Sequence, residues 1–534
     1  MPSNNKDWWR GGIIYEIYPR SFKDANNDGI GDLVGITTNL GYVASLGVDA
    51  IWITPFFKSP MRDFGYDVAD YRAIDPSFGT LADFDALLAK AHGLGLRVII
   101  DYVISHTSNE HPWFVESRTS RDNAKSDWYV WADMKPEGSP PNNWLSVFGG
   151  SSWAWDSRRR QYYLHNFLTS QPDLNFHNPD VQAAVLDEMR FWLERGVDGF
   201  RLDALNFSVH DKLLRDNPPA PDPSKSEQPL ANPYAYQTHQ FDKSQPEILP
   251  ILQKLRALLD EFGATTSLAE VGDDSDKTLQ LMADYATPER VHMCYGFDFL
   301  GTRFTPEFVR HTVERYENHA GGSWPCWAFS NHDCIRHATR WTPVGGDLAQ
   351  TARFSAALIL SLRGSICLYQ GEELGLPEAD IAFEDLQDPA GKTFWPDYKG
   401  RDGCRTPLPW DDASPNAGFG NGKPWLPVFP AHLPRSIKQQ AADPHSVLAF
   451  YKKAIALRQA SAVLRLGSIE IVQATQNLLV LRRSHGAETI ICLFNFGADA
   501  VPNAYQGEVI LASAASERIE PRGFRWLRAS SGKV

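Results

Sequence analysis

NPDVQAAVLDEMRFWLERGVDGFRLD, residues 178–203, holds the unit from which the fold can be read. Asn178 is a good N-cap, and Pro179 suits the first helical position, where no N–H partner is needed. Val181, Val185, Met189 and Trp192 then recur at helical spacing and form one apolar stripe. Gly196 ends that helix, and VDGFRLD reads as the strand after it. The same unit occurs upstream. Thr80 with Asp83 three residues on is a capping-box signature, FDALLAKAH carries the helix to Gly93–Gly95, and LRVIIDYVI is a β-branched strand. It returns in ARFSAALILSLRG followed by SICLYQG. Repeated helix–strand units of this kind require a parallel sheet, either open or closed into a barrel.

Three stretches break the repeat. Residues 105–176 are dense in Trp, Pro, Gly and Asn, which suggests a small domain inserted after a strand. From about Gly467 the chain alternates apolar and polar residues (IEIVQ, LLVLRR, TIICLFNF, EVILAS), so the tail is all-β. Seven prolines lie between Asn206 and Glu247, and a loop that long inside a compact domain is usually functional. The expected division is a barrel of 1–104 and 177–464, an inserted domain of 105–176 and a C-terminal β-sandwich of 465–534.

Composition narrows the function classes. At 534 residues the chain needs more than one domain, and 43% hydrophobic content is that of an ordinary globular protein. A formal charge of −13 without a Lys/Arg run makes nucleic acid a poor partner. The start, MPSNNKDWWRGG, has no apolar stretch of signal-peptide length, and no run is long enough to span a membrane. The six cysteines show no CxxC pair or metal-ligand spacing, so reduced thiols in the cytoplasm are the expectation.

Four strand-like segments end in polar residues. RVIIDYVISH ends near Asp101 and His106, GFRLD at Asp203, TTSLAE at Glu270, and CWAFSNHD at His332-Asp333. Acids at the C-terminal ends of separate parallel strands are what the mouth of a (β/α)8 barrel active site requires.

These segments carry a resemblance. DYVISH, GFRLDAL, LAEVGD and FSNHD look like the four signature regions of glycoside hydrolase family 13, the α-amylase family. QPDLN (Gln171–Asn175), GVDAIWITPFF and CLYQGEELG resemble further family regions in the family's order, over essentially the whole chain. Ser105 departs from the Asn that many members carry before the histidine. The resemblance implies a (β/α)8 TIM barrel with a small domain after the third strand and an all-β C-terminal domain. It implies Asp203 as nucleophile, Glu270 as acid/base and Asp333 as the acid that holds and distorts the sugar. His106 and His332 match histidines that hydrogen-bond the sugar.

The chemistry fits those roles. Hydrolysis with retention needs one nucleophilic carboxylate and a second carboxyl that is first acid, then base. Arg201 lies two residues before Asp203, on the same strand face, and is expected to keep it ionised. Glu270 is expected to have a raised pKa from burial and the Asp203 charge.

Other positions are implied by the resemblance alone. Tyr66-Asp67 and Arg401 resemble exo-acting members, in which an Asp–Arg pair closes the pocket and the tyrosine stacks on the sugar. Phe148 and Phe167 fall where family aromatics line the pocket, and Gln171 lies in the extra region. Ala204, after the nucleophile, points to α-1,4 preference. DANNDGIGDL offers oxygens at Asp24, Asn26, Asp28, the Ile30 carbonyl and Asp32, a 1-3-5-7-9 spacing suited to Ca²⁺ or Mg²⁺. The twelfth position of an EF-hand loop would be Gly35, not Glu. The same loop is a structural metal site in oligo-1,6-glucosidase-like members, and no organic cofactor is expected. The expected activity is a retaining, exo-acting α-glucosidase on short substrates such as maltose, transferring glucose to sugar or alcohol acceptors. The alternative is a sucrose isomerase or sucrose-using glucosyltransferase on the same fold.

Overall fold

Eight parallel strands form one sheet: β1 (Ile13–Ile17), β2 (Ala50–Ile53), β3 (Arg97–Val103), β4 (Gly199–Asp203), β5 (Thr266–Val271), β6 (Met293–Gly296), β7 (Cys326–Ala328) and β8 (Ser365–Tyr369). Their order is β6-β5-β4-β3-β2-β1-β8-β7, and a parallel bridge from Cys294 to Pro325 closes β6 onto β7. The open-or-closed question is thus settled as a barrel. The computed structural model describes residues 5–226 and 228–529; residues 1–4, 227 and 530–534, which include the two outer ends of the expected domains, lie outside the described residues.

The helices form where the sequence signals placed them. Thr80 caps the helix Leu81–Gly93 with the full capping box to Asp83. Asn178 caps Pro179–Glu194, whose buried stripe includes Val181, Val185, Met189 and Trp192. The helix Leu348–Ser361 is almost wholly buried because the C-terminal domain covers its outer side.

Strand alternation builds the site. Ile14, Ala50, Trp52, Ile99, Leu268, Met293, Tyr295, Cys326, Ala328 and Cys367 form one cluster inside the barrel, floored by Trp8 and Trp9. Their chain neighbours, such as Ile13, Tyr15, Ile51, Val98 and Ala269, face the helices in a separate cluster. Inward residues recur every second position. Counting on from this apolar floor, the next inward residues are Glu16, Asp101, Asp203 and Glu270, with Arg201 of the same parity on β4.

Between β3 and β4 lie the short helix Pro112–Ser117 and a three-stranded antiparallel sheet of Trp131–Ala132, Gln161–Leu164 and Trp153–Asp156. After Gly467 a five-stranded antiparallel sheet packs one face on the barrel helices through Leu479, Leu481, Phe494 and Trp526. Its other face is covered by the two-stranded ribbon Val501–Pro502 and Arg518–Ile519. No helix of the described residues is long and apolar enough to cross a membrane.

Candidate active site

Arg201 organises the barrel mouth. Its side chain is fully buried under the Trp52 ring, 4.8 Å away. Nη1 donates to Asp101 (2.9 and 3.1 Å) and to Asp203 (2.5 Å). Nη2 donates to the Tyr295 hydroxyl (2.8 Å) and faces Glu270 Oε1 at 2.7 Å. One guanidinium therefore holds Asp203 and Glu270 on its two terminal nitrogens. Glu270 also accepts from the Tyr295 hydroxyl (3.0 Å) and the Ala204 N–H (2.9 Å). Ala204 reaches that bond from a left-handed conformation, φ 40° and ψ 45°, unusual for a non-glycine residue.

One cation cannot neutralise three carboxylates. Burial pushes Asp203 up to about 7, against the lowering pull of Arg201. Burial pushes Glu270 to about 7 as well, with Arg201 opposing and Asp203 adding. Asp101 rises to about 6 for the same first reason. Arg201 lowers the Asp203 carboxyl, as expected, but the guanidinium is shared with Asp101 and Glu270 and so offsets only part of the burial.

Asp333 lies beyond the end of β7 and is the most exposed of the acids. Burial raises its carboxyl, but His332, Arg401 and Arg405 outweigh burial and hold it well below the usual range. Arg405 Nη2 donates to it at 2.6 Å and Arg401 Nη1 at 3.2 Å. His332 presents Nε2 at 3.3 Å from its second oxygen.

The expected pairing of Asp67 with Arg401 is also corrected. Arg401 Nη2 donates to Asp63 (2.9 Å) and Asp388 (2.8 Å). Asp67 instead accepts the Arg62 and Asp63 N–H groups and the Ser59 hydroxyl. It is spent on shaping the turn that presents Asp63. Tyr66 is buried, with its hydroxyl 2.6 Å from His332 Nε2 and 3.0 Å from Asp101.

Gln171 joins the inserted domain to this group. Its amide nitrogen donates to Asp63 (3.0 Å) and lies 3.2 Å from His106 Nε2. Burial holds His106 down to about 3, so the ring is neutral, and its Nδ1 lies 2.9 Å from the Ser105 hydroxyl. The departure at Ser105 thus keeps a polar partner for the ring. Phe167 packs on His106 at 5.1 Å, and Phe148 lies under Arg401 at 5.2 Å.

Five contributors were not singled out from the sequence, Glu16, Asp63, Tyr295, Asp388 and Arg405, and Asp101 was named only as a strand-end acid without a role. For Glu16 and Asp101 a signal existed, since each lies two positions beyond an inward apolar residue, Ile14 or Ile99. Asp388 comes from a loop, and nothing in its sequence announces the pairing.

The loop Asp24–Asp32 is closed by its own hydrogen bonds. Asp24 accepts the Asn27 and Gly29 N–H groups, Asp32 accepts Ala25, Asn26 and Gly35, and Asp28 accepts Ile30. The Asn26 amide donates to Asp28. Among the described residues no three His, Cys, Asp or Glu side chains converge as a metal cage. The loop's donors are nonetheless all hard oxygens, the kind Ca²⁺ and Mg²⁺ take.

A parallel barrel with carboxylates gathered around an arginine at the C-terminal ends of its strands defines a carboxylate-dependent barrel enzyme. Residues 16–467 match the family model for the alpha amylase catalytic domain. The chain belongs to the alpha-amylase family, glycoside hydrolase family 13, and is an enzyme of the glucosidase or transglucosylase kind. It is 57% identical over 500 residues to a probable alpha-glucosidase of Rhizobium meliloti (strain 1021), covering 93% of this chain and 90% of that one. It is 34% identical to an oligo-1,6-glucosidase of Heyndrickxia coagulans, covering 93% of each. Among solved structures it is similar to the alpha-glucosyl transfer enzyme XgtA, with TM-score 0.94 and 53% identity over 98% of this chain and 99% of that one. It is also similar to the trehalulose synthase MutB of Pseudomonas mesoacidophila MX-45, with TM-score 0.87 and 31% identity over 98% and 99%.

Proposed function

We propose that the chain is a retaining, exo-acting α-glucosidase that also transfers glucose to sugar or alcohol acceptors. The observation that carries this reading is the shared Arg201, which keeps Asp203 and Glu270 side by side at the mouth. Asp203 attacks the anomeric carbon while Glu270 gives its proton to the departing glycosidic oxygen. The glucosyl–Asp203 ester is then opened by water or an acceptor hydroxyl, whose proton returns to Glu270. In this reading the shared proton of the pair rests on Glu270, because Asp203 makes the shorter contact with Arg201. Asp333, fixed as an anion by Arg401 and Arg405, accepts sugar hydroxyls. The Asp63–Arg401–Asp388 ion-pair group walls off the non-reducing end, which supports exo action on a single terminal glucose.

Ala204, in place of a branched residue beside the nucleophile, supports α-1,4 preference and short substrates such as maltose. The six cysteines form no CxxC pair, which supports a reducing, cytoplasmic setting. Product analysis on maltose, isomaltose, sucrose and trehalose, each with and without an alcohol acceptor, tests the whole reading. Glucose from maltose with an α-configured first product, plus a glucosylated acceptor, is the expected result. Isomerised sucrose as the main product would instead favour the second reading, an isomerase or sucrose-using transferase, to which the likeness to MutB lends weight.

A divalent cation is proposed for the Asp24–Asp32 loop, held by Asp24, Asn26, Asp28, the Ile30 carbonyl and Asp32. It would supply structural rigidity, not chemistry. A chelator should lower the melting temperature and added Ca²⁺ or Mg²⁺ restore it; no change with either would remove the cation from the account.

A further inference from the structure

Glu16 sits on the inward face of β1, behind the sugar site, and no step above uses it. Its Oε1 lies 2.5 Å from His332 Nδ1, while Oε2 has no hydrogen-bond partner. His332 Nε2 lies 2.6 Å from the Tyr66 hydroxyl and 3.3 Å from Asp333 Oδ2. The Tyr66 hydroxyl lies 3.0 Å from Asp101 Oδ2, which also accepts from Trp52 Nε1 and Arg201 Nη1 at 3.1 Å each. Glu16, His332 and Asp101 are completely buried.

These contacts can be satisfied only by a particular set of protons. Asp101, fed by the Trp52 and Arg201 donors, is an acceptor, so the one proton of Tyr66 belongs to that contact. The Tyr66–His332 contact then needs a proton on Nε2. The contact of Nε2 with the anionic Asp333 needs the same proton. With Nε2 protonated, the Glu16–His332 contact still requires one more. It can rest on Glu16 as a carboxylic acid, or on Nδ1 facing a Glu16 carboxylate. In the second case a fully buried anion would leave one oxygen without any donor, which is costly. The charged groups facing Glu16 are Arg201, Asp333 and Asp101, with the Cys367 thiol beside it. Burial is the largest influence and raises the carboxyl well above its usual range, with Arg201 opposing. Burial also pushes the His332 ring well below its usual range, against the raising pull of Asp333.

We propose that Glu16 is a positioning residue kept as the neutral acid, donating to His332 Nδ1 and so fixing Nε2 as the ring's donor, directed at the Tyr66 hydroxyl with Asp333 alongside. The chain of donors then runs one way, from Glu16 through His332 and Tyr66 to Asp101. Glu16 sets which face of the imidazole is a donor without touching the substrate.

The proposal rests on the glucosidase reading for its kinetic arm only. Glu16→Met removes the donor while roughly keeping the side chain's length; kcat/KM on maltose should fall by about 30-fold, mostly in kcat. Glu16→Gln keeps an N–H donor and should recover activity to within about fivefold of wild type. If Gln is as damaging as Met, the site needs an anion and the proposal fails. The second arm needs no substrate. An infrared difference spectrum of the resting enzyme, wild type against Glu16→Gln, should show a protonated-carboxyl C=O stretch at neutral pH that the variant lacks. A carboxylate band in its place overturns the proposal even if Glu16→Met does not fold. Because this spectrum is independent of turnover, its failure is distinct from a failure of the product analysis.

Discussion

The floor of the barrel mouth and the wall above it are built from different materials. The floor is a buried charge lattice: Asp101, Asp203, Glu270 and Tyr295 all meet Arg201, and every one comes from a strand. The wall is the long loop Asn206–Glu247, and its ties to the inserted domain are mostly amides and an indole bonded to backbone carbonyls. Its links to the inserted domain run from Asn142 to the Leu214 carbonyl, from Asn143 to Asn217, from Trp144 to the Arg215 carbonyl and from Asn232 to the Val147 carbonyl. On the other side Asn206 and Lys243 donate to the Gly272 carbonyl, two residues after Glu270. A lattice of buried charges tolerates almost no change, because removing one partner strands another. A wall held mostly by separate hydrogen bonds to backbone carbonyls can be altered a piece at a time. The floor should therefore decide whether the reaction occurs, and the wall which substrates reach it.

The sharpest way to break this contrast is at the nucleophile. Asp203→Asn keeps the shape and the bond from Arg201 but removes the attacking oxygen, so kcat/KM on maltose should fall by about 10⁴ or more. A loss under tenfold, measured on highly purified protein, would show that the floor does not carry the covalent step.

Glu270→Gln should cost about 10³ in kcat/KM and gain stability. The unfolded residue ionises above about 4.5, whereas the folded one keeps its proton to about 7. Its stabilising contribution is thus whole below pH 4.5 and is lost as pH rises through 7. The amide avoids that loss, so the variant's melting temperature should exceed wild type's more at pH 8 than at pH 5. The gain at pH 8 is on the order of 3 kcal/mol. By the same titration, wild-type activity should fall on the alkaline side of about 7, as Glu270 loses the proton it must donate.

These floor residues were largely legible in the sequence, and the wall was not. Asp203 and Glu270 announce themselves because a strand has a period of two and a fixed end. Once GFRLD and TTSLAE are strands, the direction of each acid follows. Asp101 was visible as an acid near the end of its strand but had no role assigned, because β3 continues to Val103 and the acid lies inside the strand, not at its tip. The Asp63–Arg401 pair was misread as Asp67–Arg401, since GYD lies in a turn and turns have no period to say which carboxylate faces inward. The proline-rich loop gave only its length. Its anchors are asparagines and a tryptophan whose partners are backbone carbonyls some 70 or more residues away in the chain, from Asn142–Leu214 at 72 to Asn232–Val147 at 85. A backbone carbonyl has no sequence signature.

A smaller effect is expected at Ala204, where floor and wall meet. A β-branched residue at φ 40° is strained by about 1–3 kcal/mol. Ala204→Val should rotate the peptide and weaken its bond to Glu270, lowering kcat on maltose by about tenfold. The extra methyls also narrow the mouth beside the nucleophile. The ratio of kcat/KM for maltose over isomaltose should then fall several-fold. An unchanged ratio would detach linkage preference from this residue.

The smallest effect, and the one that tests the wall alone, is at Asn232. Its side chain is nearly completely buried, donates to the Val147 carbonyl at 2.7 Å and accepts the Tyr234 N–H at 3.0 Å. Asn232→Ala leaves both backbone groups without that partner and frees one tie between the loop and the inserted domain. A single neutral hydrogen bond is worth about 1 kcal/mol, so the loop should loosen without unfolding. None of the acids on the floor touches Asn232, so kcat on maltose should stay within about twofold. If the wall excludes long chains, the ratio of kcat/KM for maltotetraose over maltose should rise about two- to fivefold. A fall in maltose turnover with no change in that ratio would mean the loop supports the floor instead of screening substrates, and the division of labour between the two regions would not stand.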